Sequence, residues 1–280
     1  MEPHKTSSVI KSDGEKVYFS KEKIRRSLAN AGASEIMIEE IIQKISQELY
    51  SGISTQEIHN RAFNLLKGKN RITASKYKLK KAIYELGPTG YPFERFIAAI
   101  LQNSGYHVSV GQTLQGECVS HEVDVIASNP SEHILVECKF HGETGRNCNV
   151  KIPLYIHSRF RDLQRHQKSS GGRNFTQGWV ATNTRFTTDA MTYGRCVGLY
   201  LLSWNSPKGA SLKERIDKAG LYPITVSTLL SKREKCFLMD KNVVLCKELL
   251  KYDFLLDHLN ISDSRKRRLI EEMQSLTMTN

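Results

Sequence analysis

The chain has no Cys-x-x-Cys pair, no apolar run near the roughly 18 residues a membrane span requires, and no Gly-x-x-x-x-Gly-Lys-Ser/Thr loop. The first absence leaves the six cysteines (Cys118, Cys138, Cys148, Cys196, Cys236 and Cys246) without a zinc framework. Cys138-x-x-His141 lies near Cys148, but no fourth ligand follows at a usual spacing, so free and mostly buried thiols are expected. The second absence excludes a membrane helix, and the N-terminal "MEPHKTSS" lacks the apolar core of a signal peptide. A soluble, cytoplasmic protein is the expectation. The third excludes a P-loop motor that hydrolyses ATP. Internal repeats and low-complexity tracts are lacking too.

Positive charge, by contrast, is abundant. The 280 residues carry a formal net charge of +12. Residues 1–90 hold 16 Lys/Arg against 10 Asp/Glu, 91–205 hold 11 against 9, and 206–280 hold 14 against 10. The excess lies on the flanks rather than in a tail, which suits a polyanionic partner such as nucleic acid.

Three segments follow along the chain. In the first, two short β-prone runs at 9–11 and 16–19 flank the turn signal Ser12-Asp13-Gly14. Ser20 can cap a helix with Ile24, Leu28 and Ala31 at helical spacing. A second helix fits 34–50, a third starts at the capping box Ser54-x-x-Glu57, and a fourth covers 73–86 before Gly87-Pro88. A hairpin on four helices makes a domain over 1–88. In the second segment, 89–206, a helix at 92–103 precedes strands at 106–110, 118–127 and 133–141. A helix at 152–168 and strands in "GWVATN" and "VGLYLLSW", parted by a helix near 187–195, complete it. Strands alternating with helices predict an α/β layered domain. The third segment, 207–280, has helical periodicity, one short strand at 243–246, and a basic run Arg265-Lys266-Arg267-Arg268 expected to meet nucleic-acid backbone or an acidic partner surface.

The chemistry is concentrated in the middle segment. In "HILVECKFH" the carboxylate of Glu137 and the ammonium of Lys139 share a strand face, with Cys138 pointing away. Asp124, in "HEVDVIA", belongs to the strand expected to pair with it. Phosphodiester hydrolysis needs a divalent cation to offset phosphate charge and to activate water. Hard cations such as Mg2+ take a few carboxylates and keep several waters. Asp124 and Glu137 supply the carboxylates, Lys139 a group to orient the water, and Glu94 a further carboxylate from the preceding helix. His121 and His141 border this region. Arg159, Arg161, Arg165, Lys168 and Arg173 form a basic stretch suited to backbone phosphates.

The order of "YPFERFIAAILQNSGYHV", "HEVDV" and "VECKFH" resembles the PD-(D/E)XK nuclease superfamily, in particular its Mrr-type restriction endonuclease branch. Val123 stands where the superfamily's name has proline. The resemblance implies a mixed β-sheet flanked by helices, Glu94, Asp124, Glu137 and Lys139 as catalytic residues, and Mg2+ or Mn2+ held by Asp124, Glu137 and the backbone carbonyl of Cys138. Gln164 or Asp162 is the candidate for the glutamine often found on the following helix.

The N-terminal "VIKSDGEKVYFSKEKIRRSL", with "STQEIH" and "SKYKLKKAI", resembles the ATP-cone, a nucleotide-sensing domain. The resemblance implies ATP or dATP as a regulatory ligand, with Lys11 and Lys23 on its phosphates and Val9 and Ile24 around the base. Thr55 and His59 would approach from the third helix, and Lys80 or Lys81 would close the phosphate site. The usual Lys-Arg pair is Lys11-Ser12 here. ATP-cones commonly mediate self-association, so a homo-oligomer is implied. The fusion, with "LKERIDKAGLYPIT" beyond it, looks like a prokaryotic family of ATP-cone restriction-endonuclease-like proteins, with defence as the implied setting. The expected function is a metal-dependent endonuclease acting on nucleic acid, DNA foremost, governed by an adenine nucleotide. The alternative is a non-catalytic nucleotide-sensing DNA-binding regulator.

Overall fold

The computed structural model describes residues 8–11 and 14–278. Its N-terminal part contains β1 (Ser8–Ile10), β2 (Lys16–Tyr18), α1 (Lys21–Ala29), α2 (Glu35–Gln47), β3 (Ile53–Ser54), α3 (Thr55–Lys69), α4 (Arg71–Tyr77) and α5 (Leu79–Tyr84). β1 pairs antiparallel with β2, as the hairpin signal predicts, and Ser12 and Asp13 of that signal lie outside the described residues. β1 also pairs in parallel with β3, a two-residue strand too short to show in the sequence pattern. Ser20, Ser34 and Ser54 cap their helices by accepting from the backbone N–H three residues on. Glu57 does not complete a capping box, because its carboxylate is taken by the Tyr50 hydroxyl and Arg61, 2.7 Å from each. The helix expected over 73–86 is divided at Lys78 into α4 and α5.

The middle part holds α6 (Tyr91–Asn103), β4 (His107–Gln115), β5 (Ser120–Ser128), β6 (His133–Lys139), α7 (Lys151–Ser170), β7 (Gln177–Thr182), α8 (Thr188–Cys196) and β8 (Tyr200–Leu202). They form one sheet in the order β4-β5-β6-β7-β8. The first three strands run antiparallel, and the crossovers through α7 and α8 make β6, β7 and β8 parallel. Buried residues of α6 pack with Val125, Ala127, Ile134 and Val136 in the main core. Phe160 and Leu163 of α7 pack with Val123 and Leu135. The sheet is thus a mixed sheet flanked by helices, as expected.

The C-terminal part contributes α9 (Leu212–Ala219), α10 (Lys232–Asp240), α11 (Cys246–Leu249) and α12 (Asp263–Thr277), with 3-10 turns at Ile224–Val226 and Asp253–Leu259. The strand expected at 243–246 is reduced to a bridge between Pro223 and Leu245, with α11 beginning at Cys246. Leu212, Ile216, Leu269 and Met273 share the main core with α5 and α6, so this part closes the core instead of trailing from it. Half of the basic run is also internal. Arg265 binds Glu234 at 2.6 and 2.7 Å and the carbonyl of Leu229 at 2.7 Å, and Lys266 binds Asp257 at 2.6 Å. The expectation that all four basic residues await an external anion fails for these two. Neighbouring carboxylates compensate the helix start.

One buried acid ties the C-terminal part to the N-terminal part. Glu272 of α12, 4% exposed, accepts hydrogen bonds from Ser75 of α4, from the Ser227 hydroxyl at 2.5 Å, and from the Thr228 N–H and hydroxyl at 2.9 and 3.0 Å. Replacing it by Leu strands these donors. Each buried unsatisfied donor costs on the order of 1–3 kcal/mol. Glu272→Leu should therefore lower the denaturation midpoint by at least that much, while Ser75→Ala, which removes a single long bond, should shift it far less. Equal midpoints for Glu272→Leu and the wild type would remove Glu272 from this role.

Candidate active site and nucleotide cleft

The paired strands part where the acidic residues sit. The β5–β6 ladder ends at Val125 opposite Val136. Beyond it, β5 stays with β4 as far as Ser120, while β6 stays with β7 through Lys139 opposite Thr182. Continuing the β5–β6 register by one residue sets Asp124 across from Glu137. Gly111, with φ of +63°, lies in β4 beside Asp124, a backbone conformation that glycine adopts without Cβ strain. The N–H of Cys138 faces the gap and donates to the Asp124 carboxylate at 2.6 Å. A backbone donor that lost its ladder partner is thereby satisfied.

A second contact fixes Glu137. Arg159, one position before the buried Phe160 on α7, reaches the sheet and binds Glu137 at 2.8 Å; the two side chains are 12% and 19% exposed. Its guanidinium also lies 5.5 Å from the ring of Tyr155. The expectation that Arg159 grips backbone phosphate is therefore corrected: it is the counter-charge of the acidic cluster. The signal for this was present in its position between Ile156 and Phe160 on the buried face. Arg173, though exposed, is engaged by the carbonyls of Glu132, at 3.0 Å, and Asn129. Arg161, Arg165 and Lys168 remain exposed.

Glu94 enters from the first turn of α6, and its position depends on a wedge. Phe140, directly after β6, packs 5.6 Å from Phe93, and a Cβ on Gly87 would lie 2.5 Å from the Phe140 ring. Only glycine permits this approach, which holds the end of β6 against the start of α6.

The electrostatics record how closely the acids are gathered. Burial, with the charges of Asp124 and Glu122, pushes Glu94 up to about 7. Burial and then the Asp124 charge push Glu137 up to about 7, against the opposing pull of Arg159. Burial also raises Asp124, partly offset by the Cys138 N–H and Arg159. Glu122, absent from the sequence expectations, joins the cluster through these charges. Lys139 is exposed at the strand end, within electrostatic reach of Asp124 and Glu137. Burial pushes the Cys138 thiol well up, so only its backbone is available as a ligand. Among the described residues no three His, Cys, Asp or Glu side chains form a ready-made metal cluster. The donor set fits a hard cation nonetheless. Two carboxylates and a carbonyl leave room for the waters Mg2+ retains, and the cluster's mutual repulsion favours a cation.

Other candidates go elsewhere. Asp162 is held low, to about 2, by His121 at 2.8 Å and by the N–H groups of Cys118 and Val119, so it anchors the β4–β5 turn. Gln164 donates to the carbonyl of Phe175 at 2.9 Å. Neither serves as the glutamine of the nuclease pattern, and His121 is spent on the same anchor. His141 does border the site. Asn183 bonds both its N–H, at 2.9 Å, and its carbonyl, at 2.8 Å, while its buried Nε2 has no hydrogen-bond partner among the described residues.

The second concavity is in the N-terminal part. Val9, Val17, Ile24, Ile58 and Tyr77 give it an apolar wall, Lys11 and Lys23 add charge, and Thr55 and His59 complete a cavity of about 250 Å³. Lys11 is ion-paired with Glu15. The His59 ring stacks on Tyr77 at 4.5 Å, and burial lowers its basicity. Lys81 does not line this cleft; it lines the neighbouring cavity, which His59 also borders.

Three family descriptions match the chain: "ATP cone domain" over residues 7–85, "Restriction endonuclease" over 88–203, and "AF1548-like, C-terminal" over 222–277. An uncharacterized protein of Archaeoglobus fulgidus is 30% identical over 184 residues, covering 64% of this chain and 99% of the relative. The crystal structure of AF1548, a protein of unknown function, superposes with a TM-score of 0.56 at 29% identity, covering 68% of this chain and 98% of that one.

The raised acids have a stability consequence in metal-free buffer. Between about pH 4.5, the ordinary Glu value, and pH 7, the folded chain binds more protons at Glu94 and Glu137 than the unfolded chain does. Their contribution therefore falls as pH rises through that window. Melting curves from pH 5 to 8 should show a shallower fall for Glu137→Gln than for the wild type. Parallel profiles would mean that Glu137 titrates normally.

Proposed function

Since the chain belongs to the AF1548-like family, with an ATP-cone domain, a restriction endonuclease domain and an AF1548-like C-terminal domain in that order, we propose that it is a divalent-metal-dependent endonuclease cutting DNA, governed by ATP or dATP. The observation that carries this reading is the parting of β5 and β6 at Asp124 and Glu137, with Lys139 beside them. Asp124, Glu137 and the Cys138 carbonyl would hold Mg2+ or Mn2+, which when bound supplies Lewis acidity and a water of lowered pKa.

The chain's own residues do the rest. Arg159 pairs with the Glu137 carboxylate and pulls it toward the ionised form, against burial and the Asp124 charge. Lys139, exposed at the strand end, donates to the attacking water or to the charge developing on the phosphate. Glu94, poised near neutrality by burial, accepts or holds a proton at the edge of the cluster. Exposed Arg161, Arg165 and Lys168 on α7 offer contacts to backbone phosphates, which fix register without reading sequence. In the N-terminal cleft the apolar wall suits a base, and Lys11 and Lys23 suit phosphates. A nucleotide there acts as a ligand that shifts activity or self-assembly through its differential affinity for two states.

Incubation with plasmid and linear DNA plus Mg2+ or Mn2+ tests the catalytic part. Cleavage should be lost on adding EDTA and reduced at least 100-fold in Asp124→Ala and Lys139→Ala, with DNA affinity largely kept. Wild-type rates in either variant would sink the assignment, and DNA binding without cleavage by the wild type would favour a non-catalytic regulator. For the nucleotide part, ATP or dATP should raise the melting temperature by mass action, and Lys11→Ala should weaken that shift. Calorimetry with no heat of binding at millimolar nucleotide would leave the ATP-cone without its ligand.

A further inference from the structure

A second cavity lies behind His59, between the ATP-cone and the C-terminal part. Lys67, Lys78, Lys81 and Lys235 line it with Glu85 as the one carboxylate, and Ser227, Thr228 and Leu230 form the far wall. The contrast with the nucleotide cleft is chemical. That cleft has an apolar wall fit for a base, whereas this cavity gathers four ammonium groups and little apolar surface.

The charges inside are not balanced by the protein. Lys78 bonds Glu85 at 2.8 Å and the carbonyl of Thr225 at 3.1 Å. Lys235, 8% exposed, reaches the same carbonyl at 2.9 Å and lies 4.0 Å from the same carboxylate. One buried and one partly buried ammonium group thus share one acid and one carbonyl. The nearby Glu272 attracts Lys235 through its charge, but its oxygens are hydrogen-bonded to Ser75, Ser227 and Thr228 rather than to either lysine. Burying like charges side by side is costly unless an anion compensates, and the Lys235 ammonium is correspondingly pushed down to about 8 by burial and Lys78. Lys67 and Lys81 stand exposed at the mouth.

We propose that this cavity binds a phosphate group or short polyphosphate, clamped between the ATP-cone and the C-terminal part. Its walls come from α3, α5 and α10 and the loop before α10, so an anion here braces one part of the molecule against the other. His59 borders both this cavity and the nucleotide cleft. The anion is therefore either the tail of a nucleotide in that cleft, passing His59, or a separate ion. The assignment needs neither a metal nor cleavage, so it stands or falls apart from the catalytic reading.

Calorimetry and melting curves on the full chain with inorganic triphosphate, ATP and adenosine test it. Triphosphate alone should bind and raise the melting temperature, and the Lys67→Gln/Lys81→Gln double variant, altered only at exposed positions, should bind it at least tenfold more weakly. Competition between ATP and triphosphate identifies the nucleotide's own tail, and simultaneous binding identifies a separate anion. Adenosine should gain nothing from the two lysines. No triphosphate binding at millimolar concentration, or binding indifferent to Lys67 and Lys81, overturns the proposal.

Discussion

Two carboxylates held face to face where β5 and β6 separate set the terms for the rest of the molecule. Asp124 and Glu137 repel each other in a half-buried gap, and an unconstrained chain would let them drift apart. Three restraints prevent this. The Cys138 N–H holds Asp124, Arg159 holds Glu137, and Phe140, wedged against Gly87 and Phe93, holds the end of β6. Burial, reinforced by the neighbouring carboxylate charges, pushes Glu94 and Glu137 up toward neutrality, a kind of perturbation that clusters at functional sites.

The restraints come from every part of the chain. Gly87 follows the last helix of the ATP-cone, Arg159 comes from α7, and the core beneath α6 is completed by α9 and α12. Thr225 bonds the carbonyl of Ala82 in α5 at 2.7 Å, and Glu272 binds both α4 and the loop before α10. α4, whose Tyr77 lines the N-terminal cleft, and α5, which follows it, are thus bonded directly to the segment that closes the main core. A ligand that reorients α4 or α5 has a physical route to the mixed sheet, through packed side chains and hydrogen bonds rather than across a flexible linker.

Much of this was legible in the sequence, for reasons that can be named. The α/β layering followed from the order of helix and strand signals, and the mixed sheet from the resemblance to the nuclease superfamily. That the strand of Asp124 pairs with the strand of Glu137 was read from "HEVDVIA" and "HILVECKFH"; that the ladder ends one residue before these two acids was not. What escaped depended on contacts distant in sequence. Arg159 read as one more cation in a basic helix: its place between Ile156 and Phe160 marks the buried face, but only the tertiary contact names Glu137 as its partner. Asp162 and Gln164 had suitable chemistry, but the turn at 116–119 and Phe175 claimed them first. The basic run at 265–268 was half neutralised by Glu234 and Asp257, acids 31 and 9 residues away. β3 was too short for any pattern, and the bridge at Leu245 was sustained by Tyr222 and Ile224 rather than by a strand.

The central claim, that the gap between β5 and β6 is a cation site, is most directly tested by titrating Mn2+ into the metal-free protein near pH 6.5 in buffers of different ionisation enthalpy. With Glu94 and Glu137 partly protonated at that pH, cation binding should release protons, and the observed heat should depend on the buffer. Asp124→Asn should abolish both binding and proton release. Mn2+ binding that is unaffected by Asp124→Asn, or the absence of binding to the wild type at millimolar concentration, would contradict the account.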